Sequence, residues 1–192
     1  MSACALMCVG VFAAQAQDTK TDEKKSFEYE FTDVVKVPAT SVKNQSSSGT
    51  CWCFSTISFL EDELLREGKG EYDLSEMWIV RWAYYEKAIK YVRMHGSINF
   101  DAGGSFEDVF AMWDKYGIVP DEVYTGLQYG SETHRHGELN SALKAYVASI
   151  IENSKLTPKW IEGVNGILDA YLGEIPEKFT YEGVEYLSLI HI

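Results

Sequence analysis

The spacing of apolar residues changes along this chain from a helical period to a strand period. After Cys51, apolar side chains recur at helical spacing: Phe54, Ile57, Leu60, Leu64 and Leu65. This spacing puts them on one face of an α-helix, and Gly68 and Gly70 follow where such a helix would end. The pattern therefore predicts a helix that begins near Cys51.

Two more helices are predicted before the middle of the chain. One begins near Ser75 and runs through an aromatic-rich stretch to about Met94. The next opens at Ser105, where Asp108 stands at the position that completes a capping box, and Gly117 stands at the expected end. Four residues form its predicted apolar face: Phe106, Val109, Phe110 and Trp113.

The second half of the chain continues with helices and then changes period. Helical patterns cover residues 138–152 and 158–172, whereas apolar and polar residues alternate from Phe179 to Ile190. Glu182 and Gly183 form a candidate hairpin turn within that alternation. The chain is therefore predicted to be α+β, a mostly helical unit that ends in the first strands of a sheet.

The residues before Cys51 divide into a leader, a lead-in and an approach segment. Residues 1–16 contain a short uncharged apolar run that closes with Ala14-Gln15-Ala16, the small-residue pattern of a signal peptidase site. The run is too short to span a bilayer, and it lacks a basic start. We expect a signal peptide and export from a bacterial cell; a buried N-terminal helix and a lipid-modified Cys8 are the alternatives. Residues 17–35 read as a flexible lead-in, and the main domain covers 36–192.

Composition and charge narrow the class of protein. The chain has 192 residues, of which 46% are hydrophobic and 24% charged, as in ordinary soluble globular proteins. It carries 29 acidic and 17 basic residues, for a net charge of −12. This charge argues against a nucleic-acid-binding surface and for a well-solvated acidic exterior.

The cysteines point to chemistry rather than to a disulfide framework. If cleavage follows Ala16, Cys51 and Cys53 remain, and side chains at that spacing are poor disulfide partners. A thiol at a helix start gains thiolate character from the partial positive charge there. Backbone N–H groups at the helix start, with the Gln45 side-chain amide, could stabilise an oxyanion. Cys53 is predicted to be a small core residue, and Trp52 to pack beside the site.

The segment from Gln45 to Ser55 resembles the active-site segment of the papain superfamily. The residues that carry the resemblance are Gln45 and Gly49-Thr50-Cys51-Trp52-x-Phe54-Ser55. Ser48 stands where many members have a disulfide-forming cysteine, which is the pattern of the bleomycin hydrolase and aminopeptidase C branch. Further similarity to that branch extends over residues 36–150. It includes Asp-Leu-Ser-Glu at 73–76, Tyr-Glu-Lys at 85–87, Gly103-Gly104 and Lys-Tyr-Gly-Ile-Val-Pro at 115–120.

The resemblance implies a papain-like cysteine peptidase fold, of which this chain holds mainly the helical, nucleophile-bearing half. It implies that Cys51 is the nucleophile, that Gln45 is the oxyanion donor, and that Gly103 and Gly104 contact the substrate backbone. The implied activity is thiol-dependent trimming of peptides from the N-terminus, without a metal or another cofactor. Peptides are the implied partners, and the branch is often hexameric, so the full-length protein is a candidate homo-oligomer.

A peptidase of this kind also needs a histidine base and a residue such as Asn to orient it. The histidines of this chain are His95, His134, His136 and His191. We expect a capping or solvated role for His95 and a polar loop around 134–136, where two histidines without a third ligand make a poor metal site. His191 is followed by one residue only. We therefore expect the chain to stop before its catalytic histidine and asparagine, and to be inactive alone.

Three alternatives stay open from the sequence. The nearest is a general papain-like endopeptidase. The second is a non-catalytic peptide-binding relative that keeps the cleft but lacks the base. The third treats Cys51 and Cys53 as a redox or metal-binding pair, which would leave Gln45 and Trp52 without a role.

Overall fold

The computed structural model describes residues 29–127 and 130–188 of the chain. The predicted signal peptide, residues 17–28 of the predicted lead-in, and His191 lie outside these residues, and the predictions for them stay predictions. Contacts divide the chain into two units, Met1–Lys36 and Val37–Ile192. Residues 29–36 of the first unit are exposed and have no regular secondary structure. In the described part of the chain, no helix has the length and apolar character that crossing a membrane requires.

The second unit is built from five helices and one hairpin in its described residues. The elements are α1 (Cys51–Arg66), α2 (Glu76–Arg93), α3 (Phe106–Tyr116), a short 3₁₀ turn (Asp121–Val123), α4 (Gly137–Ile151), α5 (Lys159–Leu172), β1 (Lys178–Tyr181) and β2 (Val184–Leu187). The five helices predicted from the sequence are therefore confirmed, with ends that differ by one or two residues. The predicted α+β class is confirmed as well.

Helix α2 is the centre of the core and contacts each of the other four helices. The Ser75 side chain caps its first turn by accepting a hydrogen bond from the Trp78 N–H at 3.0 Å. Aromatic rings fill the space around it: Trp82 stacks on Tyr116 with ring centroids 3.9 Å apart. Aromatic pairs of this kind stabilise the fold by about 0.5–1.5 kcal/mol beyond the contribution of their buried area. The aromatic stretch of the sequence is thus core.

Helix α3 begins where the sequence predicts, but the face that it buries differs from the predicted apolar face. The Asp108 carboxylate accepts a hydrogen bond from the Ser105 N–H at 2.8 Å, as a capping box requires. Val109 and Met112 are buried, whereas Phe106 and Phe110 are 60% and 45% exposed. The apolar residues of α3 form two overlapping stripes, and packing against α1 and α2 selects the one that contains Met112. The predicted face is wrong at these two phenylalanines.

The hairpin forms as the alternating pattern predicted. Strands β1 and β2 pair antiparallel with Phe179 opposite Tyr186, and these two rings stack at 5.4 Å. Glu182 and Gly183 both have positive φ, 49° and 78°. Positive φ at both central residues is the geometry of a tight two-residue hairpin turn.

Candidate active site

Cys51 is the first residue of α1, and its side chain is exposed. The carbonyl of Thr50 accepts hydrogen bonds from the N–H groups of Cys53 and Phe54, at 2.9 and 3.3 Å. The first turn of α1, all of whose residues are described, carries no acidic side chain. The partial positive charge of the helix N-terminus therefore has no carboxylate in that turn to offset it at Cys51. An exposed thiol in this position can reach a substrate.

Cys53 differs from Cys51 in its accessibility. Its side chain is 0% exposed, and its Sγ donates a hydrogen bond to the Glu76 carbonyl at 3.4 Å. Burial raises the pKa of Cys53 well above its ordinary value, and the Glu76 carboxylate adds to the effect. The prediction that Cys53 is a core residue is confirmed. Both cysteines are free thiols in the described part of the chain.

The turn before Cys51 is closed by hydroxyl groups and by one glycine. The Ser48 and Thr50 hydroxyls are buried and lie 2.6 Å apart, so a hydrogen bond joins them at the place where many papain-like proteins have a cysteine. Gly49 has φ of 71°, and a Cβ on it would lie 3.1 Å from the Cβ of Ala102. A side chain at Gly49 would be strained on both counts.

Gln45 opens the segment that we call the serine loop, residues 45–48. The Gln45 carbonyl accepts a hydrogen bond from the Ser48 N–H at 3.2 Å, which closes the loop as a turn. The Gln45 side chain is half-buried, and its Oε1 atom is buried without a hydrogen-bond partner among the described residues. Its predicted role as an oxyanion donor stays a prediction.

The serine loop pairs with a distant segment through main-chain hydrogen bonds. The Ser47 N–H donates to the His134 carbonyl at 3.0 Å, and the His136 N–H donates to the Ser47 carbonyl at 3.2 Å. These two bonds form a parallel bridge between Ser47 and Arg135. The segment 134–136 is a loop, as predicted, with no regular secondary structure apart from this one bridge. It differs from a solvated polar loop because it lies against the serine loop and His136 is buried.

Of the two histidines of this segment, His136 is buried and His134 is half-buried. His136 is 1% exposed, and burial, with a smaller contribution from His134, lowers the pKa of His136 to about 4. Burial also lowers the pKa of His134, whose ring packs edge-on against Phe54 of α1 at 6.0 Å. The two rings lie 5.9 Å apart, and their closeness in the sequence was the one signal that they could meet. No group of three or more potential metal ligands occurs among residues 29–127 and 130–188.

Gly103 and Gly104 belong to a loop that we call the glycine loop, residues 101–104. The Trp52 indole N–H donates to the Ala102 carbonyl at 3.0 Å, and a Cβ on Gly104 would lie 2.7 Å from the Trp52 ring. The structure therefore brings the glycine loop against Trp52, the residue next to Cys51. Trp52 is buried beside the site, as predicted. Contact of the two glycines with a substrate stays a prediction.

A buried charged cluster holds the start of α2 against α1. The Lys43 ammonium lies 2.8 Å from Glu61 and 3.3 Å from Glu76, and Glu61 also accepts the Leu74 N–H at 2.7 Å. Burial raises the pKa of Glu76 to about 7, although the positive charge of Lys43 opposes the shift. Burial lowers the pKa of Lys43, but hydrogen bonds with Asp73 and Glu61 outweigh it, so the pKa lies above its ordinary value. The sequence did not reveal this cluster.

His95 takes no part in this arrangement. It lies after the end of α2, is exposed, and has φ of 48°, in the left-handed region. That region is uncommon for residues other than glycine and typical of helix ends. The structure thus agrees with the solvated position expected for His95.

Comparison with known proteins agrees with this geometry. The model of the Peptidase C1-like family matches residues 2–185. The chain belongs to the Peptidase C1-like family. The resemblance to aminopeptidase C is confirmed. The chain is 28% identical over 158 residues to the aminopeptidase C of Lactococcus lactis subsp. cremoris, covering 74% of this chain and 35% of that protein.

Two further relatives and one solved structure give the same result. The aminopeptidase C of Lactobacillus delbrueckii subsp. lactis is 26% identical, with 95% of this chain and 46% of that protein covered. The mitochondrial cysteine proteinase 1 of Saccharomyces cerevisiae is 27% identical, with 73% of this chain and 32% of that protein covered. The crystal structure of PepW from Lactobacillus rhamnosis HN001 superposes with a TM-score of 0.55 at 23% identity, covering 77% of this chain and 40% of that one. The fold is therefore papain-like, and the chain spans about a third to just under half the length of these relatives.

Proposed function

We propose that the protein containing this chain hydrolyses peptide bonds with Cys51 as the nucleophile, and that it trims peptides from the N-terminus. The observation that carries the proposal is the contrast between the two thiols. Cys51 is exposed at the start of α1, whereas Cys53 is buried and hydrogen-bonded to the Glu76 carbonyl. Of the two thiols in the described part of the chain, Cys51 is the one that can meet a substrate carbonyl.

In the proposed reaction the Cys51 thiolate attacks the carbonyl carbon of the scissile bond. The tetrahedral intermediate collapses, the C–N bond breaks, and the amine leaves with one proton. Water then hydrolyses the thioester and releases the acid. Main-chain N–H groups at the start of α1 and the Gln45 amide would stabilise the oxyanion, and removing one such donor costs about 10²–10³-fold in rate.

The reaction needs a histidine base, and the described histidines do not suit the task. His134 and His136 have pKa values lowered by burial, and His136 is almost fully enclosed. Because the relatives are more than twice as long as the matched region, we propose that the histidine and asparagine come from a part of the protein that this chain does not include. This chain alone should then show no turnover.

Trimming from the N-terminus is the finer part of the proposal. Two relatives carry the name aminopeptidase C, and the identity to them is 26–28%. A papain-like endopeptidase is the nearest rival. The two activities differ in whether the substrate must have a free α-amino group.

The test uses the natural protein that contains this chain and a dipeptide with a fluorogenic leaving amide. Cys51→Ser should lower kcat/KM by at least about 10³-fold, because a nucleophile cannot be replaced by its neighbours. The matched control is Cys53→Ser, which should fold less stably but retain turnover. Acetylating the substrate's amino group should abolish cleavage by an aminopeptidase and leave an endopeptidase unaffected.

Each result decides between the candidates. Turnover within a few-fold of wild type in Cys51→Ser would refute the nucleophile. Loss of turnover in Cys53→Ser with the protein still folded would favour a redox or metal-binding pair. A natural protein that binds peptides without cleaving them would be a non-catalytic relative.

We also propose that the protein is exported, from the uncharged run that ends at Ala16. N-terminal sequencing of the mature protein recovered outside the cytoplasm should then begin at Gln17. A mature protein found in the cytoplasm with its leader intact would contradict export.

A further inference from the structure

The glycine loop is held through three consecutive carbonyl oxygens by two side chains. The Lys87 ammonium donates to the Asp101 carbonyl at 3.1 Å and to the Gly103 carbonyl. The carbonyl between them, that of Ala102, accepts from the Trp52 indole at 3.0 Å. Since Lys87 lies on α2 and Trp52 on α1, the loop is tied to both helices at once.

The surroundings of Lys87 favour a cation at this position. Its Nζ lies 5.6 Å from the centroid of the Trp52 ring and 6.0 Å from that of the Tyr84 ring. Cations over aromatic faces are stabilised by about 0.5–2 kcal/mol. Burial lowers the pKa of Lys87, and the carboxylates of Asp108 and Asp101 partly offset this. The carboxylates therefore help keep a partly buried lysine charged.

Lysine suits this task better than arginine would. An ammonium carries three donors that rotate about one bond, so it can serve two carbonyls in different directions. The planar guanidinium fork of arginine matches carboxylates instead. Two of the three ammonium donors are used by Asp101 and Gly103.

The contacts of the loop with α1 bring this anchoring close to Cys51. A Cβ on Gly104 would lie 2.7 Å from the Trp52 ring, and a Cβ on Gly49 would lie 3.1 Å from the Cβ of Ala102, so both glycines allow a close approach. Trp52 and Gly49 flank Thr50 and Cys51 in the sequence. A shift of the glycine loop would therefore change the surface beside Cys51, while the thiol itself stays in place on α1.

We infer that Lys87 is a positioning residue. It holds the glycine loop in the position beside Cys51 that binding of a substrate backbone requires. Lys87 acts through the loop and does not touch the reacting atoms. The inference rests on the proposed function, because it takes the glycine loop to meet the substrate backbone.

The experiment compares Lys87→Met with Lys90→Met in the natural protein. Both remove a lysine from α2, but Lys90 is exposed and donates to no carbonyl of the glycine loop. Methionine has room at position 87, which lines a cavity of about 530 Å³. We expect Lys87→Met to raise KM for a dipeptide substrate by about 10- to 100-fold, the size of a lost hydrogen bond from a charged group. The kcat should change much less, Lys87→Arg should recover only part of the loss, and Lys90→Met should match wild type.

Two further readouts separate a positioning role from a general loss of structure. The rate at which iodoacetamide alkylates Cys51 should stay within about two-fold of wild type, because that small reagent does not need the loop. Amide hydrogen exchange at residues 102–104 should speed up in Lys87→Met and not in Lys90→Met. A KM within two-fold of wild type, or unchanged exchange in the loop, would overturn the inference.

The exchange readout does not depend on catalysis. If the natural protein shows no turnover on any peptide, the proposed function fails, and with it the catalytic part of this inference. Faster exchange in the loop of Lys87→Met would then still establish the anchoring by Lys87. Unchanged exchange in the loop would refute the anchoring by Lys87 as well.

Discussion

The serine loop and the glycine loop both lie beside the start of α1, but different kinds of bond hold them. The serine loop is tied to the distant segment 134–136 by main-chain hydrogen bonds of Ser47, and a hydroxyl pair, Ser48 and Thr50, joins its end to the start of α1. The glycine loop is tied by the side chains of Lys87 and Trp52. Main-chain bonds survive most substitutions, whereas a side-chain anchor is lost with one change. The two loops should therefore differ in which substitutions they tolerate.

The loops also differ in charge. Behind the serine loop lie the rings of His134 and His136, whose pKa values are lowered by burial, so both are neutral at pH 7. Behind the glycine loop lies the charged ammonium of Lys87. Low pH should therefore destabilise the region behind the serine loop, whereas truncation of a side chain should loosen the glycine loop.

The largest expected effect is acid destabilisation through His136. Its pKa is about 4 in the folded protein and about 6.5 when unfolded, so the unfolded chain takes up the proton first as pH falls. Stability that is present above pH 6.5 is then lost as pH falls towards 4. At about 1.4 kcal/mol per pH unit, the loss is up to about 3 kcal/mol.

The measurement is urea unfolding of wild type and His136→Phe between pH 7 and pH 4. The difference in unfolding free energy between the two should shift by about 3 kcal/mol over that range. Glu76 titrates in the same window with the opposite sign, since its pKa is raised to about 7 and its stabilisation falls as pH rises. This contribution is common to both proteins and cancels in the difference. A difference that does not vary with pH would contradict the burial of a neutral His136.

Next in size is the pair of alanine substitutions in the glycine loop. A Cβ on Gly104 would lie 2.7 Å from the Trp52 ring, whereas nothing in the described part of the chain lies within 4 Å of a Cβ on Gly103. Gly104→Ala should cost about 1–3 kcal/mol of unfolding free energy through overpacking. Gly103→Ala should stay within about 0.5 kcal/mol of wild type. Equal effects in thermal or urea unfolding would show that the loop does not rest on Trp52.

A smaller effect is expected from Trp52→Phe. The substitution keeps an aromatic ring under Gly104 but removes the hydrogen bond to the Ala102 carbonyl. One such bond contributes about 0.5–1.5 kcal/mol. Urea unfolding gives the cost, and amide exchange in the glycine loop should accelerate by less than in Lys87→Met. If Trp52→Phe disturbs the loop more than Lys87→Met does, the tryptophan is the main anchor.

The smallest effect is expected in the serine loop itself. Ser47 is exposed, and both of its hydrogen bonds to the segment 134–136 use main-chain atoms. Ser47→Ala should therefore change the unfolding free energy by less than about 0.5 kcal/mol. A cost above about 1 kcal/mol would mean that the pairing of Ser47 with this segment also depends on a side chain, and the contrast between the anchoring of the two loops would fail.

The features that the sequence predicted well are those with local causes. The capping box of Ser105 and Asp108, the glycines after α1 and the turn at Gly183 depend on residues a few positions apart. Their structure follows from backbone preferences that do not need the rest of the fold.

The features that the sequence missed depend on residues far apart in the chain. His136 meets Ser47, and Lys87 meets Gly103, only because the helices bring these segments together. The face of α3 was mispredicted for the same reason, since packing against α1 and α2 chose between two apolar stripes. Exposure and burial of the two cysteines followed from their places on α1, but the charged cluster around Lys43 has no signature in the sequence.

The most direct test of the account is to trap the acyl-enzyme. The natural protein is mixed with an activated amino-acid ester, quenched in acid within the first turnover, digested and mapped by mass spectrometry. We expect one acyl adduct, on the peptide that contains Cys51, and no adduct in Cys51→Ser. An adduct on another residue, or turnover without any covalent adduct on Cys51, would contradict the claim that Cys51 is the nucleophile.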